Sequence, residues 1–418
     1  MALQLTADEK AIAAGERGDG AAMAMRIVAE TARLMGADRL IPIESAHIDG
    51  ALYHGDSGTL FAERLVAGGA TTAVRATLNV GAIDLTGCSR NRLPAHELSM
   101  ARRMMTAYQQ LGCEQTWTCA PYQAGHRPSL GSQVAWGESN AVVFCNSVLG
   151  ARTNRYGDFL DIACAISGRA PDYGLHRTEN RRATVVVDVS QVDRAFMSSD
   201  LAWPVLGNLY GRLIGDAIGV ITGLAFQPRE DLLKAFGATA ASAGSVGLFH
   251  VAGATPEAPD EATALQNTPP LERIVVTNQM LRDAQGRLST ADRADRIDAV
   301  AVGSPHLSIE EFDTLRLLLN GRSVAVPLYA CTGRHVLRVL ERDGHVPQLE
   351  AMGVTIVADT CIVVTPILPE KPGAILMTNS GKFAHYAPST TGYSVLYGSM
   401  VDCVESAIRG VPVFGAAL

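Results

Sequence analysis

Compact metal and nucleotide signatures are missing from this chain. Its eight cysteines, at 88, 113, 119, 145, 164, 331, 361 and 403, form no CxxC pair, and its ten histidines form no HExxH. The usual zinc and ferredoxin spacings are thereby excluded. No GxSxG elbow is present, which removes the α/β-hydrolase nucleophile. Thr378-Asn379-Ser380-Gly381-Lys382 carries a Gly-Lys pair but not the full phosphate-loop pattern, and Phe383 follows. Gly15-Glu16-Arg17-Gly18-Asp19-Gly20 lacks the preceding strand of a dinucleotide fingerprint and reads as a helix–helix turn.

Charge is also scarce, at 18%, and its balance is acidic, −7, with no Lys/Arg block. A nucleic-acid partner is excluded on that ground, because such a binder needs a basic face. No apolar run is long enough to cross a bilayer; the best, residues 361–368, is broken by Pro366. Residues 1–10 lack the basic start and apolar centre of a signal peptide. A cytoplasmic protein with reduced, mostly core-packed thiols is expected.

What is present suits a large enzyme. At 418 residues, 47% apolar and with 40 glycines, the chain predicts two or three lobes with well-buried cores and many turns. Residues 7–35 read as two helices, 40–43 as a short strand feeding the polar loop Glu44-Ser45-Ala46-His47, 73–78 as a strand and 95–112 as a helix. A strand over 115–118 delivers Cys119 into a Pro-Tyr turn. β-branched runs recur at 184–192, 274–277, 298–302, 323–329 and 354–358, with a Pro- and acid-rich connection at 253–261. The expected fold is α/β and multi-lobed, with two α/β units of mainly parallel sheet flanking a middle lobe. Its expected divisions are residues 1–181, 182–272 and 273–418.

Three short segments place reactive groups where a parallel sheet puts its chemistry, at strand ends: Thr118-Cys119-Ala120-Pro121-Tyr122, Gly303-Ser304-Pro305-His306 and Asp359-Thr360-Cys361. Two thiols far apart in sequence share a metal only if the fold joins those ends. A second constellation is the polar run from Glu138, Ser139 and Asn140 through Asn146 to Arg152, Thr153, Asn154 and Arg155. On a helix Arg152 and Arg155 share a face, and paired guanidinium forks suit a carboxylate or phosphate; the alternative is a pair of surface arginines. Ser380 and Lys382 lie in a third, donor-rich turn.

Together these segments resemble the aconitase X family over nearly the whole length, most specifically in the run Asn146 to Arg155. The resemblance implies an aconitase-like fold and a dehydratase whose iron is held by cysteines, corresponding to the large, catalytic part. Two activities are implied: dehydration of cis-3-hydroxy-L-proline to 1-pyrroline-2-carboxylate, or of mevalonate 5-phosphate. The swivelling domain is expected on a separate small subunit, without which the chain is expected to be inactive.

The family's ligand positions fall here on Cys119, Ser304 and Cys361. Serine is a poor iron–sulfur ligand, so Cys331 is the expected replacement, with Ser304 as possible substitute. The cofactor expected is an iron–sulfur cluster, [2Fe-2S], or a mononuclear iron. Arg155, Lys382, Glu138, Ser139, Arg152, Asn154 and Ser380 are the candidates for holding substrate, with Asp359 as well as Glu138 a candidate for its ammonium; the resemblance implies a base that is either a serine of the swivelling domain or, within this chain, Ser45, His47 or Lys382. The serine departure favours the hydroxyproline activity. A non-catalytic iron–sulfur regulator is the rival from another class.

Overall fold

The computed structural model describes residues 3–86, 91–291 and 294–415; Cys88 lies outside them. The chain divides into two compact units, Met1–Ile83 with Leu93–Arg182, and Asp84–Arg92 with Ala183–Leu418.

The first unit is built on a three-stranded parallel sheet. Ser45–Ile48 is its central strand, flanked by Arg75–Leu78 and Val134–Trp136. Helices Asp19–Leu34, Asp56–Ala67, Ala95–Gln110 and Leu160–Ser167 supply the apolar stripes that cover it. Their core joins Met25, Val28, Met104, Tyr108 and Ile162 to Ile48 and Leu78 of the sheet. All four residues of the central strand are buried, as expected of a parallel strand covered on both faces.

The second unit carries two parallel sheets. In one the order is His250–Val251, Gly219–Thr222, Val185–Asp188, Glu272–Val275, covered by helices Ala202–Ile214 and Glu230–Ala243. In the other it is Val354–Ala358, Leu328–Thr332, Ala299–Val302, Ile375–Thr378, Ser394–Tyr397. Helices Ile309–Leu319, Arg334–Arg342 and Met400–Arg409 pack there around Val300, Phe312, Leu340, Met377 and Val404.

Several expectations need correction. The run at 274–277 does not open the last lobe: Glu272–Val275 pairs with Val185–Asp188 in the middle sheet. The second unit carries both of its sheets within one compact unit. Residues 115–118 make no strand; they follow a single bridge at Glu114, with Trp117 at positive φ. The strand expected at 323–329 runs instead over Leu328–Thr332, because Pro327 cannot donate to a central ladder. His47 is not in a loop but inside the strand Ser45–Ile48. Among the described residues no helix is long and apolar enough to cross a membrane.

Candidate active site

Three neighbouring parallel strands of the second unit end side by side. Val302 is in register with Ala330, and Cys331 with Val357. Ser304 follows the first strand, Cys331 lies within the second, and Cys361 follows the third. All three are buried. Cys361 hydrogen-bonds with the Cys331 thiol and the Ser304 hydroxyl. The Cys331 contact brings the Cys361 thiol down to about 7; burial opposes this, while the Val363 backbone, Ser304 and the Lys382 cation assist. A thiol so lowered is substantially thiolate at neutral pH, the form that binds metals.

The loops holding these groups are tied at several points. Leu307 N donates to Cys331 O at 3.0 Å, and Thr332 Oγ1 returns a bond to Leu307 O at 2.8 Å. His306 Nε2 contacts Thr360 O at 3.1 Å. Behind them a buried cation, Lys234 Nζ, sits 2.8 Å from Asp231 and 2.5 Å from Glu311. Desolvation pulls Lys234 down, but the two carboxylates outweigh it and hold the ammonium protonated. A cavity of about 30 Å³, lined by Lys234, Glu311, Ser304, Asn379 and Ser380, is large enough for one water.

Lys382 is half-buried on the helix Gly381–Thr390. Ser380 caps that helix, accepting from Phe383 N at 2.9 Å, and its hydroxyl donates to Ser304 O. Ser380 is thus engaged in the fold. Asp359 is buried and gripped by Arg334.

In the first unit the polar run is organised differently from its expected form. Glu138 caps the helix Ser139–Phe144, its Oε2 accepting from Ala141 N at 2.6 Å, and Ser139 Oγ donates to Oε1 at 3.1 Å. Gly150, in the left-handed region, ends the helical stretch, so Arg152 and Arg155 share no helix face. Arg152 donates to His176 O and Thr178 Oγ1. Asn154 bridges Tyr173 O and Leu175 N. Both therefore hold the segment that follows, and Arg155 alone of this set is exposed. Buried Arg181 binds the carbonyls of Asn146, Leu175 and Ala151. Cys119 is buried, its carbonyl accepting from Asn140 Nδ2 at 3.0 Å.

Ser45 and His47 project from the same face of their strand, and two residues that sequence reasoning missed join them. His47 Nδ1 lies 2.9 Å from Thr77 Oγ1, which lies 2.7 Å from His126 Nδ1; His126 Nε2 lies 2.8 Å from Ser45 Oγ. Burial lowers His47 to about 3, with nearby His126 adding to the effect, and lowers His126 to about 4, so both imidazoles are neutral. His126 stands in an aperiodic loop 81 residues from Ser45, where no local spacing could have flagged it.

Family models for the aconitase X first, second and third domains match residues 2–179, 183–286 and 297–409. The chain belongs to the aconitase X family. It is 44% identical to the cis-3-hydroxy-L-proline dehydratase of Pseudomonas aeruginosa, over 97% of this chain and 70% of that one. It is 37% identical to the phosphomevalonate dehydratase large subunit of Thermococcus kodakarensis, over 98% and 100%. The crystal structure of Thermococcus kodakaraensis aconitase X in its holo-form superposes with a TM-score of 0.85 at 35% identity, covering 98% of this chain and 100% of that one. These relatives are dehydratases, and the chain is an enzyme of their hydro-lyase class.

A family with a holo-form raises the question of whether this aconitase X chain can hold a metal. Among the described residues no three His, Cys, Asp or Glu side chains converge as a metal cage. What converges is two thiols and a hydroxyl, one thiol lowered toward thiolate beside a lysine. That donor set fits iron in a site that the protein does not saturate.

Proposed function

We propose that this chain dehydrates cis-3-hydroxy-L-proline, with an iron–sulfur cofactor, [2Fe-2S] or a single iron, held by Cys331 and Cys361. The observation that carries the substrate is the 44% identity to the Pseudomonas aeruginosa hydroxyproline dehydratase across 97% of this chain. Cys119 and Ser304 are the further candidate ligands. Bound there, iron supplies a Lewis acid for the departing hydroxyl.

In cis-3-hydroxyproline the hydroxyl and the carboxylate share a ring face, so the α-hydrogen lies on the other and its removal is an anti elimination. The enamine formed tautomerises to 1-pyrroline-2-carboxylate. Arg155, exposed and outside the hydrogen bonds that occupy Arg152, is the candidate for the substrate carboxylate, and Glu138 for its ammonium. Lys382, whose charge helps to lower Cys361, is a second candidate for the carboxylate and, with Ser45 and His47, a candidate base within this chain. A small swivelling-domain subunit is the proposed partner, as the designation "large subunit" of the archaeal relatives suggests.

One observation favours a second reading, mevalonate 5-phosphate as substrate: the chain spans 95% and 100% of two archaeal phosphomevalonate dehydratase large subunits. The test is turnover by the chain purified without oxygen, together with a co-expressed small subunit. Formation of 1-pyrroline-2-carboxylate from cis-3-hydroxy-L-proline supports the first reading. Turnover of mevalonate 5-phosphate alone replaces it with the second. Iron bound without turnover of either leaves a regulator.

A further inference from the structure

Lys234, on the helix Glu230–Ala243 of the second unit, is a cation with only 2% of its surface exposed. Its Nζ has three acceptors: Asp231 Oδ1 at 2.8 Å, Glu311 Oε2 at 2.5 Å and the carbonyl of His306 at 3.3 Å. Both carboxylates also reach the turn that holds His306. Glu311 Oε2 accepts from Ser308 N at 2.8 Å, and Asp231 Oδ2 accepts from Ser308 Oγ at 2.7 Å. A buried triad of this kind is a poor source of stability, because apolar side chains of equal volume often serve as well or better. What it supplies is direction: three charged groups hold the turn at a carbonyl, an amide and a hydroxyl.

The turn held in this way joins both thiol-bearing strands. Leu307 N donates to Cys331 O at 3.0 Å, and Thr332 Oγ1 donates to Leu307 O at 2.8 Å. His306, fully buried, reaches the other strand end, with Nε2 3.1 Å from the carbonyl of Thr360, the residue before Cys361. A carbonyl only accepts, so that nitrogen carries the proton. Ser304 stands near the start of the same turn, and Cys361 hydrogen-bonds with it and with Cys331.

We propose that Lys234 is a positioning residue for the iron site, its ammonium anchoring the turn 303–308 that sets Cys331 and Cys361 relative to each other; this rests on the reading of those thiols as iron ligands. The path from the ammonium to the Cys361 turn takes two hydrogen bonds, Lys234 to His306 and His306 to Thr360. Toward Cys331 it leads from the His306 carbonyl to the adjoining Leu307 amide. Without the cation the His306 carbonyl loses its charged donor and the two carboxylates repel each other. The turn then shifts, and both thiols move with it.

The test follows iron release to a chelator, without oxygen, from the iron-loaded protein with its partner subunit. Lys234→Met leaves two carboxylates facing each other, so it is paired with the neutral triple variant Asp231→Asn, Lys234→Met, Glu311→Gln. The triple buries no charge and keeps amide acceptors for Ser308, which confines its loss to the His306 contact. Both variants are expected to release iron about 10-fold faster and to shift its visible absorption. Val404→Ala, in the buried core around the last sheet, is expected to lower the melting temperature with iron release and absorption unchanged. Release at the wild-type rate in the triple variant overturns the proposal, as does equal acceleration in Val404→Ala.

If the wild type binds no iron, the iron reading falls, and imidazole nitrogen NMR of the metal-free protein decides the anchor. The His306 Nε2 resonance is expected to shift in the triple variant and to stay in place in Val404→Ala. An unmoved resonance in the triple variant overturns the anchor as well.

Discussion

Arg334 grips both carboxylate oxygens of Asp359, Nε to Oδ1 at 2.7 Å and Nη2 to Oδ2 at 2.6 Å. Asp359 is buried, with φ at 62°, and stands two residues before Cys361. The pair fixes the turn that aims that thiol, and its planar fork cannot be matched by lysine. Removing the guanidinium leaves a buried carboxylate uncompensated, so Arg334→Ala is expected to cost about 3–5 kcal/mol. Arg334→Lys is expected to retain the fold and lose part of the iron. Chemical denaturation and iron per chain measure the two effects; unchanged iron in Arg334→Lys would remove the pair from any role in the site.

Cys361 touches both Cys331 and Ser304, so the three are expected to respond as one group. Cys361→Ser and Cys331→Ser should each abolish iron binding while shifting the melting temperature little. Cys119→Ser tests the proposed ligand of the first unit by the same readout. Ser304→Cys supplies a third thiol at the strand ends and is expected to slow cluster loss in air. A cluster that bleaches at the wild-type rate in Ser304→Cys would exclude position 304 from the ligand sphere.

The strands that carry Ser304 and Cys361 were legible in the sequence because Ala-Val-Ala-Val and Val-Thr-Ile-Val-Ala are apolar runs ending in Gly or Asp turns. Arg152 and Arg155 misled because spacing alone cannot register that Gly150 stops the helix before them. The Ser45–His126 contact was invisible for a different reason. It joins residues 81 apart, and only the assembled sheet puts a loop histidine over a strand serine. Local pattern thus located the strand ends, while the partners of His47 depended on tertiary packing.

Gly303 has φ at 96°, and a Cβ there would lie 2.9 Å from Cys331 N. Both the left-handed backbone and the close approach of the neighbouring strand require glycine. Gly303→Ala is expected to destabilise by more than about 1 kcal/mol and to displace Cys331 from Cys361. Iron content should therefore fall further than in Gly321→Ala, where φ is 75° but nothing lies near the added methyl. Equal iron retention in the two variants would show that the strand ends tolerate the shift.

Buried histidines set the acid limit of the first unit. His47 is held at about 3, and His126 and His176 at about 4, in each case chiefly by desolvation. All three bind fewer protons folded than unfolded. Their stabilisation is complete above the unfolded value of about 6.5 and is lost as pH falls toward 4, by up to about 1.4 kcal/mol per pH unit for each group. Asp161 acts in the opposite sense. Burial raises it to about 8, so its contribution is complete below about 4 and is lost as pH rises through 8. The melting temperature is expected to fall steeply below pH 6, with amide exchange opening the first unit before the second. His176→Gln should flatten the acid limb and Asp161→Asn the alkaline one. An acid limb of unchanged steepness in His176→Gln would mean that this imidazole is already charged in the folded protein, against its burial beside Tyr156 and Gln133.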